Sequence, residues 1–376
     1  MTDAAAGSPR EGSPTPQAFW TTFLLIFVAI AILFSLDTTL ARIDRDETQA
    51  EATAHFEEGR RLIAAGDYRE AVDRLRTAAF LERGNRDYRL ALGEALAGAG
   101  KPVDAEAQLD EVLREHATWG PANLAMARAL VLEGRLPEAT SYYHRAIYGQ
   151  WDDGEAAERR VSARFELISL LVREESQQEL LAELLPLLDE APDSLPLRKE
   201  LGHLFVVAGS PTRAGTIFRE ILRQDPEDPA AHAGLGEAEF ALGNYRSARS
   251  ALLTARRLAP DDSSIVRNLD RVERVLALDP SRRGLSREEQ LRRSLTLVEL
   301  AARALELCTG PTPPVEIRAT LDSARSRLAP RPRSRAASYE ANLDLAERAW
   351  SARQSICSTP ASADDPLSLV LARLAQ

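Results

Sequence analysis

The chain has 376 residues, 44% hydrophobic and 28% charged, with a formal net charge of −10. That balance suits a folded chain rather than a disordered one. The acidic excess and the 6% aromatic content exclude nucleic acid as the main partner, because phosphates need a basic face and bases a stacking surface.

Residues 1–17 are Pro/Ser/Gly-rich and read as a disordered tail. From Gly12 to Leu36 no residue is charged, and FWTTFLLIFVAIAILFSL (Phe19–Leu36) is almost continuously apolar. At about 1.5 Å per residue such a run crosses the hydrocarbon of a bilayer, with Trp20 at the interface. The expectation is a transmembrane helix over residues 18–36, followed by a linker or helical stalk over 37–51. A cleaved signal peptide is the alternative, although Thr39-Leu40-Ala41 makes a poor small-x-small cleavage site.

Orientation rests on few charges. Arg10 precedes the span, and Arg42 and Arg45 follow it, a slight cytoplasmic bias for the C-terminal side that the N-terminal amine offsets. A short tail before a signal-anchor favours the opposite arrangement. The expectation is a single-pass inner (plasma) membrane protein whose C-terminal bulk is periplasmic or otherwise extracytoplasmic.

Beyond the stalk a motif recurs. GDYREA at Gly66, GKPVDA at Gly100, GRLPEA at Gly134, GSPTRA at Gly209 and GNYRSA at Gly243 are spaced by 34, 34, 75 and 34 residues. Upstream of each motif, one position in a first helix is Gly59, Gly93, Ala127, Ile168, Gly202 and Gly236. Twelve residues on stand Ala71, Ala105, Ala139, Leu180, Ala214 and Ala248. Offsets of +4 and +3 from these give Leu75, Leu109, Tyr143, Leu184, Phe218, Leu252 and then Ala78, Val112, Ala146, Leu187, Ile221, Ala255, which share one face of a second helix. Pro192, Pro226 and Pro260 stop the second helices of the later units, whereas Arg83, Ala117 and Trp151 stand at those places in the first three. The long spacing hides a degenerate fourth unit, ESQQEL from Glu175, after an insertion of about seven residues around GQWDDGEAA.

A 34-residue helix-turn-helix unit with these small and apolar positions resembles the tetratricopeptide repeat family. The resemblance covers six units and a capping helix over residues 52–278. It implies an all-α fold: a superhelix, or α-solenoid, preceded by the transmembrane helix and followed by a small helical region over 285–376. It also implies a partner-binding groove lined by the first helix of each unit. On this chain those positions include Phe56, Arg60, Leu90, Glu94, Leu124 and Arg128. They continue with Phe165, Arg173, Lys199, His203, Glu237 and Phe240. Phe56, Leu90, Leu124 and Phe165 are apolar where a clamp for a carboxylate tail would want lysine and asparagine. The groove therefore suits a partner protein or peptide segment with apolar anchors and arginines for orientation; packing between units is the other reading of the same residues.

Past the repeats, Ser286 and Glu289 form a capping box, with Leu291, Leu295, Val298 and Ala302 at helical spacing behind it. TGPTPP breaks the chain before helices expected near Val315–Leu328 and Ser338–Ile356, joined by the arginine-dense APRPRSRAAS. That link reads as solvated, with binding to anionic lipid or a partner as the minor alternative. Cys308 and Cys357 have no metal-ligand spacing, and no Cys-x-x-Cys-His run exists for covalent haem. They end two of the expected helices. If those are antiparallel neighbours, their ends can approach within the roughly 4.4–6.8 Å Cα separation of a disulfide. The alternative is two buried free thiols; a bridge would favour a compartment outside the cytoplasm.

For catalysis the residues offer little. His55, His116, His144, His203 and His232 are scattered over different units, and there is no His-Glu-x-x-His or phosphate-loop motif. GLGEAEFALG (Gly234–Gly243) imitates a glycine-rich loop, but its glycines fall on repeat positions. No cofactor and no catalytic residue is expected. The reading is a membrane-anchored scaffold or adaptor of an envelope complex, against a biogenesis or chaperone factor for cytochrome maturation or secretion. An enzyme with a site in the C-terminal region is the remote alternative.

Overall fold

The computed structural model describes residues 16–152, 154, 156–190, 194–310, 312–329, 338–357 and 365–375. The tail expected over 1–17 lies almost wholly outside them, as do Pro192 and nearly all of the arginine-dense link. Among the described residues the regular elements are helices, with one isolated β-bridge.

The first helix, α1 (Pro16–Ala65), runs 50 residues without a break. No proline or glycine falls between Pro16 and Gly59, so nothing stops it. The apolar stretch, the stalk and the opening helix of the first repeat are thus one element, about 75 Å long. Its N-terminal part is long and apolar enough to cross a bilayer, a test that a signal sequence also passes.

The chain divides into two compact units, residues 1–167 and 168–376. The first contains α1, α2 (Tyr68–Leu81), α3 (Arg86–Gly98), α4 (Pro102–Glu115), α5 (Gly120–Glu133), α6 (Leu136–Ile147) and most of α7 (Ala156–Arg173). The second holds the end of α7, α8 (Gln177–Glu190), α9 (Leu195–Val207), α10 (Pro211–Gln224), α11 (Pro229–Ala241), α12 (Tyr245–Leu258) and α13 (Ser263–Leu278). It continues with α14 (Arg287–Thr309), α15 (Val315–Leu328), α16 (Tyr339–Ile356) and α17 (Pro366–Leu374).

Within each unit, successive helices pair as hairpins in the manner of an α-solenoid. The small residues of the first helices exist for close approach. A Cβ built on Gly93 would lie 2.8 Å from Leu109 Cγ, and one on Gly236 would lie 2.6 Å from Leu252 Cγ. The turn glycines Gly66, Gly100, Gly134, Gly209 and Gly243 all hold the left-handed conformation that ends a helix. Glu175 stands at the equivalent place in the fourth unit and adopts the same conformation, with φ 55°. The degenerate repeat keeps the turn and bears the strain of a side chain there.

The insertion is a built element. Gln150 pairs with the chain at Thr118 and Gly120 (2.8 and 2.7 Å), and the Trp151 indole covers Gly120 and donates to the Ala146 carbonyl at 2.9 Å. Asp152 accepts from the Trp119 indole at 2.8 Å and from Arg86 at 2.5 Å.

The C-terminal helices differ from expectation in two ways. Cys308 and Cys357 are joined in a disulfide with a Cα separation of 5.7 Å, but they do not close antiparallel helices. Asn342 near the start of α16 bonds Ser294 near the start of α14, and the two cysteines meet at the ends, so α14 and α16 run parallel. Two reversals, into α15 and out of it, return the third helix to the direction of the first. The buried stripe of α14 is also rotated: Ser294, Leu297, Ala301 and Leu305 are buried beside Val298 and Ala302, while Leu291 and Leu295 are half-buried. A polar residue sits in that stripe because Asn342 satisfies it. One continuous apolar core links Phe240, Tyr245 and Leu252 to Leu297, Leu321, Trp350 and Leu371.

Candidate functional site

In the first unit the positions expected to line the groove lie on α1, α3, α5 and α7. The Phe56 ring packs at 4.7 Å from Tyr88, with the Arg60 guanidinium 5.9 Å from the Phe56 ring on its own helix. Leu90 is half-buried against the cluster of Val112, Trp119 and Ala122, and Leu124 is only 8% exposed. Phe165 is half-buried. Much of the apolar surface of this row is therefore engaged in packing between repeats.

The polar positions are more open. Arg128 is exposed and forks onto both carboxylate oxygens of Glu166 at 2.9 and 2.6 Å, a bond that raises its pKa further above the usual value. The Tyr143 hydroxyl donates to the same carboxylate at 3.3 Å. Burial pushes the Glu94 carboxyl above its ordinary range, against the opposing pull of Arg128, Arg60 and Arg159.

In the second unit Arg173 is exposed at the end of α7. Lys199 pairs with the buried carboxylate of Asp228, which also caps α11 through the Ala231 amide at 2.9 Å. Burial pushes Asp228 up, yet Lys199 and that amide outweigh it and hold the carboxyl below its usual range. One turn further along α9, His203 Nδ1 lies 3.1 Å from Glu237 of α11, and Asn268 of α13 donates to the other oxygen of Glu237 at 2.6 Å. These bonds tie the first helices of successive repeats, α9, α11 and α13, across the groove face.

Next to that chain opens a cavity of about 730 Å³, lined by Glu237, Phe240, Tyr245, Asn268, Arg271 and Arg373 among others. Its aromatic wall is Phe240 and Tyr245, with ring centres 5.3 Å apart and Arg271 lying 4.2 Å over the Phe240 ring. Burial pushes the Tyr245 hydroxyl pKa up. The structure thus brings Glu237 and Phe240 into one concavity and places Lys199 and His203 in polar links beside it. Tyr245, Asn268, Arg271 and Arg373 were not named from sequence. Arg271 was reachable, standing 34 residues after Glu237 on the capping helix. Among the described residues no cluster of three or more His, Cys, Asp or Glu offers a metal site.

Residues 62–122 and 205–270 match a family model described as tetratricopeptide repeat. Those two segments carry tetratricopeptide repeats. No curated protein matches it. Among solved structures, YrrB, a tetratricopeptide repeat protein with an unusual peptide-binding site, is 18% identical at a TM-score of 0.40, covering 51% of this chain and 96% of its own. PilW, a type IV pilus biogenesis factor, is 17% identical at 0.40 over 58% of this chain and 98% of its own. The C-terminal part of a repeat protein from Cytophaga hutchinsonii is 12% identical at 0.42, over 83% and 99%. Tetratricopeptide repeats fit a protein-interaction scaffold, and the family is typically non-catalytic.

Proposed function

We propose that this protein is a single-pass, membrane-anchored adaptor whose repeats hold a helix or extended segment of another envelope protein, with the bulk of the chain outside the cytoplasm. The observation that supports it most is the groove face of the second unit. There an aromatic-walled cavity lies beside the fixed polar series His203, Glu237 and Asn268, an apolar floor with oriented charges at its rim. In the first unit Arg60 and Arg128 supply the exposed cations, with Phe56, Leu90, Leu124 and Phe165 as a partly sunken apolar row beneath. The continuity of α1 favours the anchor, because the first repeat helix is the prolongation of the apolar span. The 49-residue loop closed by Cys308–Cys357 favours an oxidising compartment.

The test is affinity purification of the full chain from crosslinked membranes beside the Arg128→Glu/Glu237→Arg double variant. Stoichiometric envelope partners that the variant loses are expected. Capture unchanged in a folded variant would move the binding surface off the groove, and scattered substoichiometric clients would instead mark a biogenesis factor.

A further inference from the structure

The helix α17 packs on α13 and α14, beside the same groove face. Leu369, Ala372 and Arg373 line the cavity together with Glu237, Phe240 and Arg271, which occupy groove positions of the last repeat and of α13. Another edge of α17 is sunk: Leu367, Val370 and Leu371 are buried in the core that includes Phe240 and Leu269. Arg373 donates to Asp279 at 2.9 Å and to the Ser281 hydroxyl at 3.1 Å, and the Asp279 side chain is only 4% exposed. The Arg373 guanidinium also lies 5.9 Å from the Tyr245 ring.

These are the two features of a helical groove ligand: apolar anchors on one face and a cation that meets a buried carboxylate. We infer that α17 is an internal ligand at the α13 end of the groove, which a partner helix of the same chemistry displaces. That chemistry is apolar residues at i, i+3 and i+4 and an arginine at i+6, as Leu367, Val370, Leu371 and Arg373 present them. The inference rests on the reading of the groove as the binding face. A helix of nine residues is marginal in isolation, so α17 owes its order to docking. Tethered in the chain, it meets the groove at an effective concentration on the order of millimolar, which closes the site to weak or mismatched segments. The cavity left open beside it offers room for the larger side chains of a displacing helix.

The experiment uses the full chain with a protease site introduced between residues 357 and 365, cut after folding, and a fluorescein-labelled peptide of residues 365–376 read by anisotropy. Saturable binding of the peptide to the cut chain, little binding to the uncut chain, and at least about tenfold weaker binding of the Arg373→Glu peptide are expected. No exchange into the cut chain, whether because the native segment stays locked or because its release unfolds the unit, would make α17 a plain part of the core and overturn the inference. Equal binding of the Arg373→Glu peptide would overturn it too. Peptide exchange requires no partner, so its failure leaves partner capture at Arg128 and Glu237 standing or falling separately.

Discussion

Ser294 on α14 and Asn342 on α16, 48 residues apart, are both fully buried and share a 2.9 Å hydrogen bond. That bond fixes one end of a parallel helix pair whose other end is fixed by Cys308–Cys357. Asn342→Ala leaves the Ser294 hydroxyl without this partner and opens space, so it should lower stability by about 1–3 kcal/mol. In urea unfolding this appears as a lower midpoint with an unchanged slope. Changing Ser294 to Ala together with Asn342 to Leu should recover most of the loss, since no polar group then lacks its bond.

The disulfide makes a larger prediction. Closing a loop of 49 residues stabilises by about 4 kcal/mol in the chain-entropy model. Reductant should lower the unfolding midpoint of the wild type and leave a Cys308→Ser/Cys357→Ser variant unmoved. Denaturing alkylation of freshly lysed cells should label neither cysteine until reductant is added. Two freely alkylated thiols in the unreduced sample would remove this support for an extracytoplasmic domain.

Glu175 yields a stabilising substitution. It is exposed and holds the left-handed conformation that glycine holds in the five other turns. Glu175→Gly relieves that conformation at the cost of a freer unfolded chain, and a net gain of about 0.5–1 kcal/mol is expected. The reverse change at an equivalent turn, Gly243→Ala, should destabilise by a similar amount. A loss on Glu175→Gly would mean that the side chain contributes contacts outweighing the strain.

Glu94 gives the pH signature. Its pKa is raised in the folded state by burial, so the fold binds its proton more tightly than the unfolded chain does. The favourable term is fully present below the ordinary value of 4.5 and is lost as pH rises through the raised folded value. Glu94→Gln should match the wild type near pH 4 and exceed it at pH 7. Thermal melts of both proteins across that range check the sign; a gap that is constant with pH would exclude it.

Much of this architecture is legible in the amino-acid sequence. The 34-residue recurrence of small and apolar residues marked the helix pairs, and Ser286 with Glu289 marked the start of α14, where the Ser286 hydroxyl accepts from the Glu289 amide at 3.2 Å. Glu175 was visible as the missing glycine, but its left-handed φ was not, since residue type alone argued against it. The parallel course of α14 and α16 required counting the reversal through α15, whose span was in hand. α17 went unseen because nine mostly apolar residues that open on a proline carry too little periodicity to separate helix from strand. In the groove, sequence named the positions but not their links: Glu166 and Asn268 lie 38 and 31 residues from Arg128 and Glu237, and only the fold brings them together.

The central claim is that partners meet the first-helix face of the repeats. Site-specific photocrosslinking in intact membranes tests it most directly, with the photoreactive residue placed at Arg60, Arg128 or Glu237, and at Phe80 or Val103, which are 65% and 67% exposed on second helices. The account predicts the same partner adducts from the three groove positions and none from the two second-helix positions. Adducts from Phe80 and Val103 with silence at the groove would contradict it.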